Sequence, residues 1–344
     1  MSSVTDLRAS ATALGPWPGN DPAEAIRIIR GELGDPHLPF LPELPARGVG
    51  SDAVGRTGSL LVDLDIDVQP HGWRLVDRPG KDERRASSAL ATDINILADV
   101  AGAEDVSATE LKIQLMGPLS LAASLHLHNG ERALLDYGAR RDIADSLAAG
   151  VAEHLRKLSA AVPGARLVVQ VDEPEIASVM AGTIPTASGY RTLRSIDGEE
   201  VTGAWRLVID ALKAAGVVET VISVPEIEAP IERILAAGAD GVAVPLRALT
   251  TRQWEQLAGA VEGGKRVWAG ALPTGDPRAL LPKTSDVVES IWKPWRQLGL
   301  EASGLAGLRV TPSTGLADFT PSAAKDVLTK LTKVADGLDQ LAQG

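Results

Sequence analysis

Hydrophobic and polar positions alternate between two rhythms along most of the chain. Short apolar runs, closed off by Gly, Pro or a charged residue, predict buried strands. They occur at Ala11–Gly15, in a proline-rich piece ending at Glu43, at Glu110–Met116, within Ala165–Pro174, and at Val217–Val224, Asp240–Pro245, Lys265–Ala271 and Leu308–Pro312. Between them, apolar residues recur every three or four positions, which predicts helices. The spans are Ala23–Leu33, Ser51–Leu64, Arg84–Val100, Leu119–Leu127, Ile143–Ala161, Gly203–Ala215, a helix closing at Ala237-Gly238, Thr251–Val261, Ser285–Leu298 and Ser322–Leu341. Asp21-Pro22 supplies an N-cap and a first-turn proline for the first of these. Trp73–Val76 reads as an extra hairpin strand, and Thr183–Glu200 as a long loop. Eight strand–helix units with no linker between them predict one α/β domain over 1–344, a single (β/α)8 TIM barrel. A doubly wound open sheet is the alternative, but no Gly-x-Gly-x-x-Gly turn follows any strand.

The stretch Ala165-Arg-Leu-Val-Val-Gln-Val-Asp-Glu-Pro174 carries the clearest functional signal. With period two, Val168, Gln170 and Asp172 share one face, and Leu167, Val169 and Val171 the other. Polar groups at the carboxyl end of a buried strand are costly unless they bind something, and in a barrel that end is where ligands sit. The competing reading makes Asp172 or Glu173 a cap for the following helix. The remaining strand ends place Gly15, Trp17, Glu43, Gln114 with Met116, Ser223, Pro245, Gly270, Leu272, Thr311 and Thr314 at the same mouth. Lys112, Gln114 and Met116 share a face. Glu43 and Asp172 form a carboxylate pair suited to holding an ammonium group or to acid–base work, unless Glu43 pairs with Arg47 near the surface.

Composition narrows the chemistry. The 344 residues carry a formal charge of −11 and no cysteine. The acidic balance argues against nucleic acid or an anionic membrane as partner. Without cysteine there is no disulfide, thiolate metal site or cysteine nucleophile. No apolar run reaches signal-peptide or membrane-span length, so a cytoplasmic protein is expected. The histidines are His37, His71, His126, His128 and His154; two residues apart, His126 and His128 cannot share a helix face as metal ligands. No Gly-x-Ser-x-Gly elbow is present. Trp17 and Trp268 lie near strand ends, where they could stack on a ligand, though core packing is the commoner role.

Leu14-Gly-Pro-Trp-Pro18, Gln114-Leu-Met-Gly-Pro118, Gln170-Val-Asp-Glu-Pro174 and Thr311-Pro-Ser-Thr-Gly-Leu316 occur in the order found in the catalytic barrel of cobalamin-independent methionine synthase, which the chain resembles over nearly its whole length. That barrel belongs to a superfamily shared with uroporphyrinogen decarboxylase. Short single-barrel actinobacterial members look similar through Glu43-Leu-Pro-Ala-Arg-Gly-Val-Gly50 as well. The resemblance implies methyl transfer from a folate to homocysteine, with the thiol activated by zinc. It makes Asp172, helped by Glu43, the holder of the substrate amino group, and makes Leu14 and Gly15 backbone contacts to the substrate carboxylate, with Pro16 where the family has serine. The zinc ligands of the family fall on Val221, Ser223, Pro245 and Thr314, its proton-donating histidine has no counterpart in Ala269–Gly275, and its folate-stacking tryptophan falls on Ser124. Valine and proline offer no lone pair, and neutral hydroxyls are poor zinc ligands; no metal is therefore expected. Two functions stay open: a methyltransferase of this family, or a barrel that has lost the chemistry and serves as an amino-acid-binding, regulatory or partner protein. Metal-free chemistry of another kind is a third option. The expected partner is a small molecule, an amino acid, with a partner subunit as a further option.

Overall fold

Sequence rhythm and structure coincide along the main sheet. The computed structural model describes residues 7–105, 108–225 and 230–344. Strands β1 (Ser10–Ala11), β4 (Glu110–Met116), β5 (Arg166–Asp172), β6 (Glu219–Ser223), β7 (Gly241–Pro245), β8 (Arg266–Leu272) and β9 (Leu308–Pro312) form one curled parallel sheet in the order β1-β9-β8-β7-β6-β5-β4. Two further strands, β2 (Asp65–Gln69) and β3 (Gly72–Val76), make a separate antiparallel hairpin. Helices cover the outer face, the longest at Lys81–Gly102, Tyr137–Ala161 and Pro321–Gln343. No described helix is long and apolar enough to cross a membrane.

The sheet has seven strands, not eight, because the piece ending at Glu43 never becomes a ladder. Pro39 and Pro42 lack the N–H groups a ladder needs. Segment 38–43 nevertheless bonds in both directions. Leu38 N–H donates to Ala11 O and Glu43 N–H to Gly15 O on one side, while Lys112 N–H donates to Pro39 O and Leu41 N–H to Lys112 O on the other. Isolated bridges at Pro16–Glu43 and Phe40–Lys112 are what remain of a strand there.

Three other expectations change. Ser51–Leu64 is helical only over Ala53–Gly58, and the chain then enters β2, the partner that the predicted strand at Trp73 required. The segment read as a loop is shorter, since Asp197 caps Glu199 N–H and starts a helix at Gly198 that runs to Ala214. A short helix at Ile176–Ala181 was not expected. The helix at Pro118–Ser124 stops before His126.

Burial follows the alternation in β5. Val168 packs inside the curl with Leu38, Val221, Ala243 and Trp268, whereas Leu167, Val169 and Val171 join the larger core under the helices. Glu173, the residue after β5, turns into that helix layer. Its carboxylate is fully buried and accepts from Leu119 N–H (3.2 Å), Ser120 N–H (2.8 Å) and Trp205 Nε1–H (2.8 Å). It therefore caps the helix at Pro118–Ser124, which precedes it, and ties that helix to Trp205 on the helix at Gly198–Ala214. Gly117 permits this approach, since a Cβ there would collide with the Glu173 carboxylate. Removing an acceptor from buried donors costs about 1–3 kcal/mol for each group left unpaired. Glu173→Ala is therefore expected to lower unfolding free energy in urea by about 3 kcal/mol or more, with the Trp205 fluorescence transition moving to lower denaturant.

Candidate active site

The carboxyl ends of the strands surround a cavity of about 260 Å³. Leu14, Glu43, Met116, Asp172, Ser223, Pro245, Gly270, Thr311 and Thr314, all expected at the mouth, line it. Asp172 is partly exposed to this space, while Glu43 is only 5% exposed beside it. Glu43 does not pair with Arg47. That arginine grips Asp93 with two hydrogen bonds (2.7 and 2.8 Å), and Arg56 joins the same carboxylate.

The structure withdraws four expected residues from the lining, Trp17, Gly15, Gln114 and Leu272, the last of which is fully buried in the core. Trp17 is 1% exposed and packs edge-on against Phe40 (ring centroids 6.2 Å apart), so it belongs to the core. Gly15 holds φ at +125°, and a Cβ there would lie 2.5 Å from Gln114 Cδ; it is a glycine for backbone reasons. Gln114 fills that space and donates from Nε2 to Leu41 O (2.8 Å). Trp268 also stays inside, donating to Glu219 Oε1 (2.8 Å).

Below the cavity lies a residue whose importance was not read from the sequence. Lys112 is completely buried. Its Nζ donates to Gln170 Oε1 (2.8 Å), while Gln170 Nε2 donates to Asp172 Oδ1 (2.7 Å) and to Leu14 O (2.8 Å). One amide thus joins the ammonium to the carboxylate without direct contact. The Phe40 and Trp268 rings lie 5.1 and 5.9 Å from Nζ and favour its charge. The signal was present: a lysine shares the inward face with Gln114 and Met116 on a strand whose other face, Leu111, Ile113 and Leu115, is apolar.

Burial dominates the electrostatics. It pushes the Asp172 carboxyl up to about 7, against the pull of Lys112 and the hydrogen bonds from Gln170 and Ser223, with Glu43 pushing the same way as burial. It pulls the Lys112 ammonium down to about 7, against Asp172 and Glu43. Glu43 is raised by burial too, offset by Arg56 and Lys112. Because burial pushes these carboxyls toward their neutral forms, a cation entering the cavity would favour their ionisation. A carboxyl that titrates near neutrality can also exchange a proton with such a ligand.

The positions implied as zinc ligands are scattered in character. Val221 is buried in the apolar interior. Ser223 hydrogen-bonds Asp172. Pro245 lines the cavity, and Thr314 is exposed, its Oγ1 2.9 Å from Thr274 Oγ1. Among the described residues, no three His, Cys, Asp or Glu side chains gather as a metal ion would require.

Residues 9–337 match the family described as cobalamin-independent synthase, catalytic domain. Among solved structures, the chain is similar to a B12-independent methionine synthase from Shewanella sp., solved in complex with selenomethionine, with a TM-score of 0.61, 14% identity, and 97% and 98% of the two chains covered. It is also similar to a methyltransferase from Methanosarcina mazei, with a TM-score of 0.58, 13% identity, and 98% and 94% covered. At such identities the likeness is one of fold. No curated protein matches the chain.

Carbon-13 NMR of the side-chain carboxyls is expected to show Asp172 titrating near pH 7. In Lys112→Met, which removes the neighbouring cation, the midpoint should move higher still. A midpoint near the ordinary aspartate value of about 3.9 would contradict the burial argument.

Proposed function

The chain belongs to the cobalamin-independent synthase catalytic-domain family, and from that premise we propose that it is a methionine-synthase-like barrel that binds a small molecule by its ammonium group and does not carry out zinc-dependent thiol methylation. On this reading the curled sheet is a (β/α)8 barrel in which segment 38–43 stands in for one strand. The observation that carries the proposal is the opposition of two features in one cavity. Asp172 and Glu43 bring two acidic groups to a lining in which no described residue is Lys, Arg or His, while among the described residues no set of metal donors faces them.

Zinc does not fit these residues. A structural or catalytic zinc takes thiolate, imidazole or carboxylate donors, and Val221, Ser223, Pro245 and Thr314 provide none. The chemical consequence is specific. A thiol of pKa about 8.5 is only a few per cent thiolate at neutral pH, and a metal is what would deprotonate it. What this chain's own groups can do is hold a cation at Asp172, orient it through Ser223 and the Gln170 amide, and exchange a proton at the Asp172 carboxyl. The cavity, about 260 Å³, is at or below the small end of ligand sites, which span roughly 300–1,000 Å³. A small metabolite fits it better than an extended cofactor.

Retained methyl transfer to homocysteine is the second reading, favoured by family membership, with a partner subunit supplying the missing groups. Metal analysis of the purified protein with a methyl-transfer assay separates the two. The expected result is no stoichiometric zinc, no turnover of folate methyl donor and homocysteine, and thermal stabilisation by amine-bearing ligands that Asp172→Ala abolishes. Stoichiometric zinc together with turnover would overturn the proposal.

A further inference from the structure

Segment 38–43 leaves one residue of β4 short of partners. Along a strand within a parallel sheet, the main-chain groups of alternate residues turn to opposite neighbours. Gly117 N–H donates to Asp172 O and Arg166 N–H to Thr109 O, so the odd positions on and beside β4 serve β5. The even positions turn the other way: Lys112 N–H donates to Pro39 O, and Lys112 O accepts from Leu41 N–H. Two residues on, Gln114 faces Pro42, which has no N–H, and Glu43, whose N–H donates to Gly15 O instead. Leu41 O is taken by the Gln114 side chain (2.8 Å), and Met116 N–H by Thr57 Oγ1 (2.9 Å). Among the described residues, the main-chain N–H and O of Gln114 have no hydrogen-bond partner. At this gap lies a chamber of about 10 Å³, lined by Leu41 and Gln114 and by Arg56, Thr57 and His154 from two helices. All five are buried, and none of them lines the mouth. Arg56 hydrogen-bonds Asp93 through Nη1. His154, 5% exposed, forms no hydrogen bond among the described residues. Burial, with Arg56 and Lys157 nearby, pulls its imidazole down to about 3, so the ring is neutral, with one nitrogen to donate and one to accept.

We propose that one internal water occupies this chamber as the rung that segment 38–43 fails to supply, joining the Gln114 main chain to His154 and Arg56, and that His154 is a positioning residue acting through it. The space is about the smallest that admits a water, and the groups around it supply the polar partners such a water requires. Without it, a buried N–H and a buried carbonyl would both go unpaired, which native folds rarely tolerate. Gln114 is also the side chain that hydrogen-bonds Glu43. A water holding its main chain from the helix side therefore steadies one of the two acids of the mouth, whatever ligand the mouth takes.

Water–amide nuclear Overhauser spectroscopy on the intact, deuterated protein tests this, together with a high-resolution crystal structure of the wild type. Gln114 N–H should show a cross-peak to a long-lived water, and the crystal should show water density within hydrogen-bond distance of Gln114 and His154. His154→Phe, which keeps a ring and removes both nitrogens, should abolish the cross-peak and shift the carbon-13 resonance of the Glu43 carboxyl. His154→Gln, which restores a donor and an acceptor, should recover both. A dry chamber in the crystal, or a wild-type Gln114 amide without the cross-peak, overturns the water site. A cross-peak that survives unchanged in His154→Phe, or a Glu43 resonance indifferent to that change, overturns the role of His154. Neither measurement involves an amine ligand, so failure here leaves ammonium binding at Asp172 standing.

Discussion

The mouth of this protein depends on a carboxylate that never meets a ligand. Glu173 and Asp172 are consecutive acids at the end of one strand, and the two-residue period of that strand sends them to opposite layers. Glu173 is taken up entirely by donors from two helices, which locks the turn leaving β5. Asp172, on the other face, lines the cavity with Gln170 and Ser223 as its hydrogen-bond partners, while the full hydrogen bonding of Glu173 makes its burial tolerable.

Inside the curl, polar groups are stacked in layers and separated by small apolar side chains. At the lower end, Arg309 lies within ion-pair distance of both Glu110 and Glu219. Val168, Val221 and Ala243 then intervene with Trp268. Above them come Lys112, Gln170 and Asp172. The amide between the ammonium and the carboxylate keeps the ions apart while bonding to each, so neither is satisfied by the other alone. Burial moves both toward neutrality, and their mutual attraction only partly opposes it.

Much of this architecture was legible in the sequence, and the failures have physical causes. The strands from Glu110 onward were found nearly to the residue, because apolar runs bounded by Gly and Pro leave little choice of state. Asp172 stood out because period, strand end and motif agreed. The second strand was misjudged because Pro39 and Pro42 permit bridging without a ladder. Ser51–Leu64 misled because its apolar spacing continues past Gly58 into a turn where Asp63 adopts φ of 60°. Trp17 was placed at the mouth from its neighbours in sequence, although its packing against Phe40 depends on a segment whose position no local pattern reveals. Lys112 was visible as a lysine on an inward face; that its partner would be Gln170 required the pairing of β4 with β5.

Segment 38–43 gives the sheet a seam. It joins the first and fourth strands through a handful of bonds interrupted by two prolines, where β4 and β5 are laced along their length. Glu43 ends that segment, and Asp172 stands on the far side of it, one strand beyond β4. A guest holding both carboxylates would act as a stitch across that seam. Occupancy and the breathing of the curled sheet would then be one equilibrium, with backbone amides near Leu41 and Lys112 slowing their exchange with solvent as the site fills.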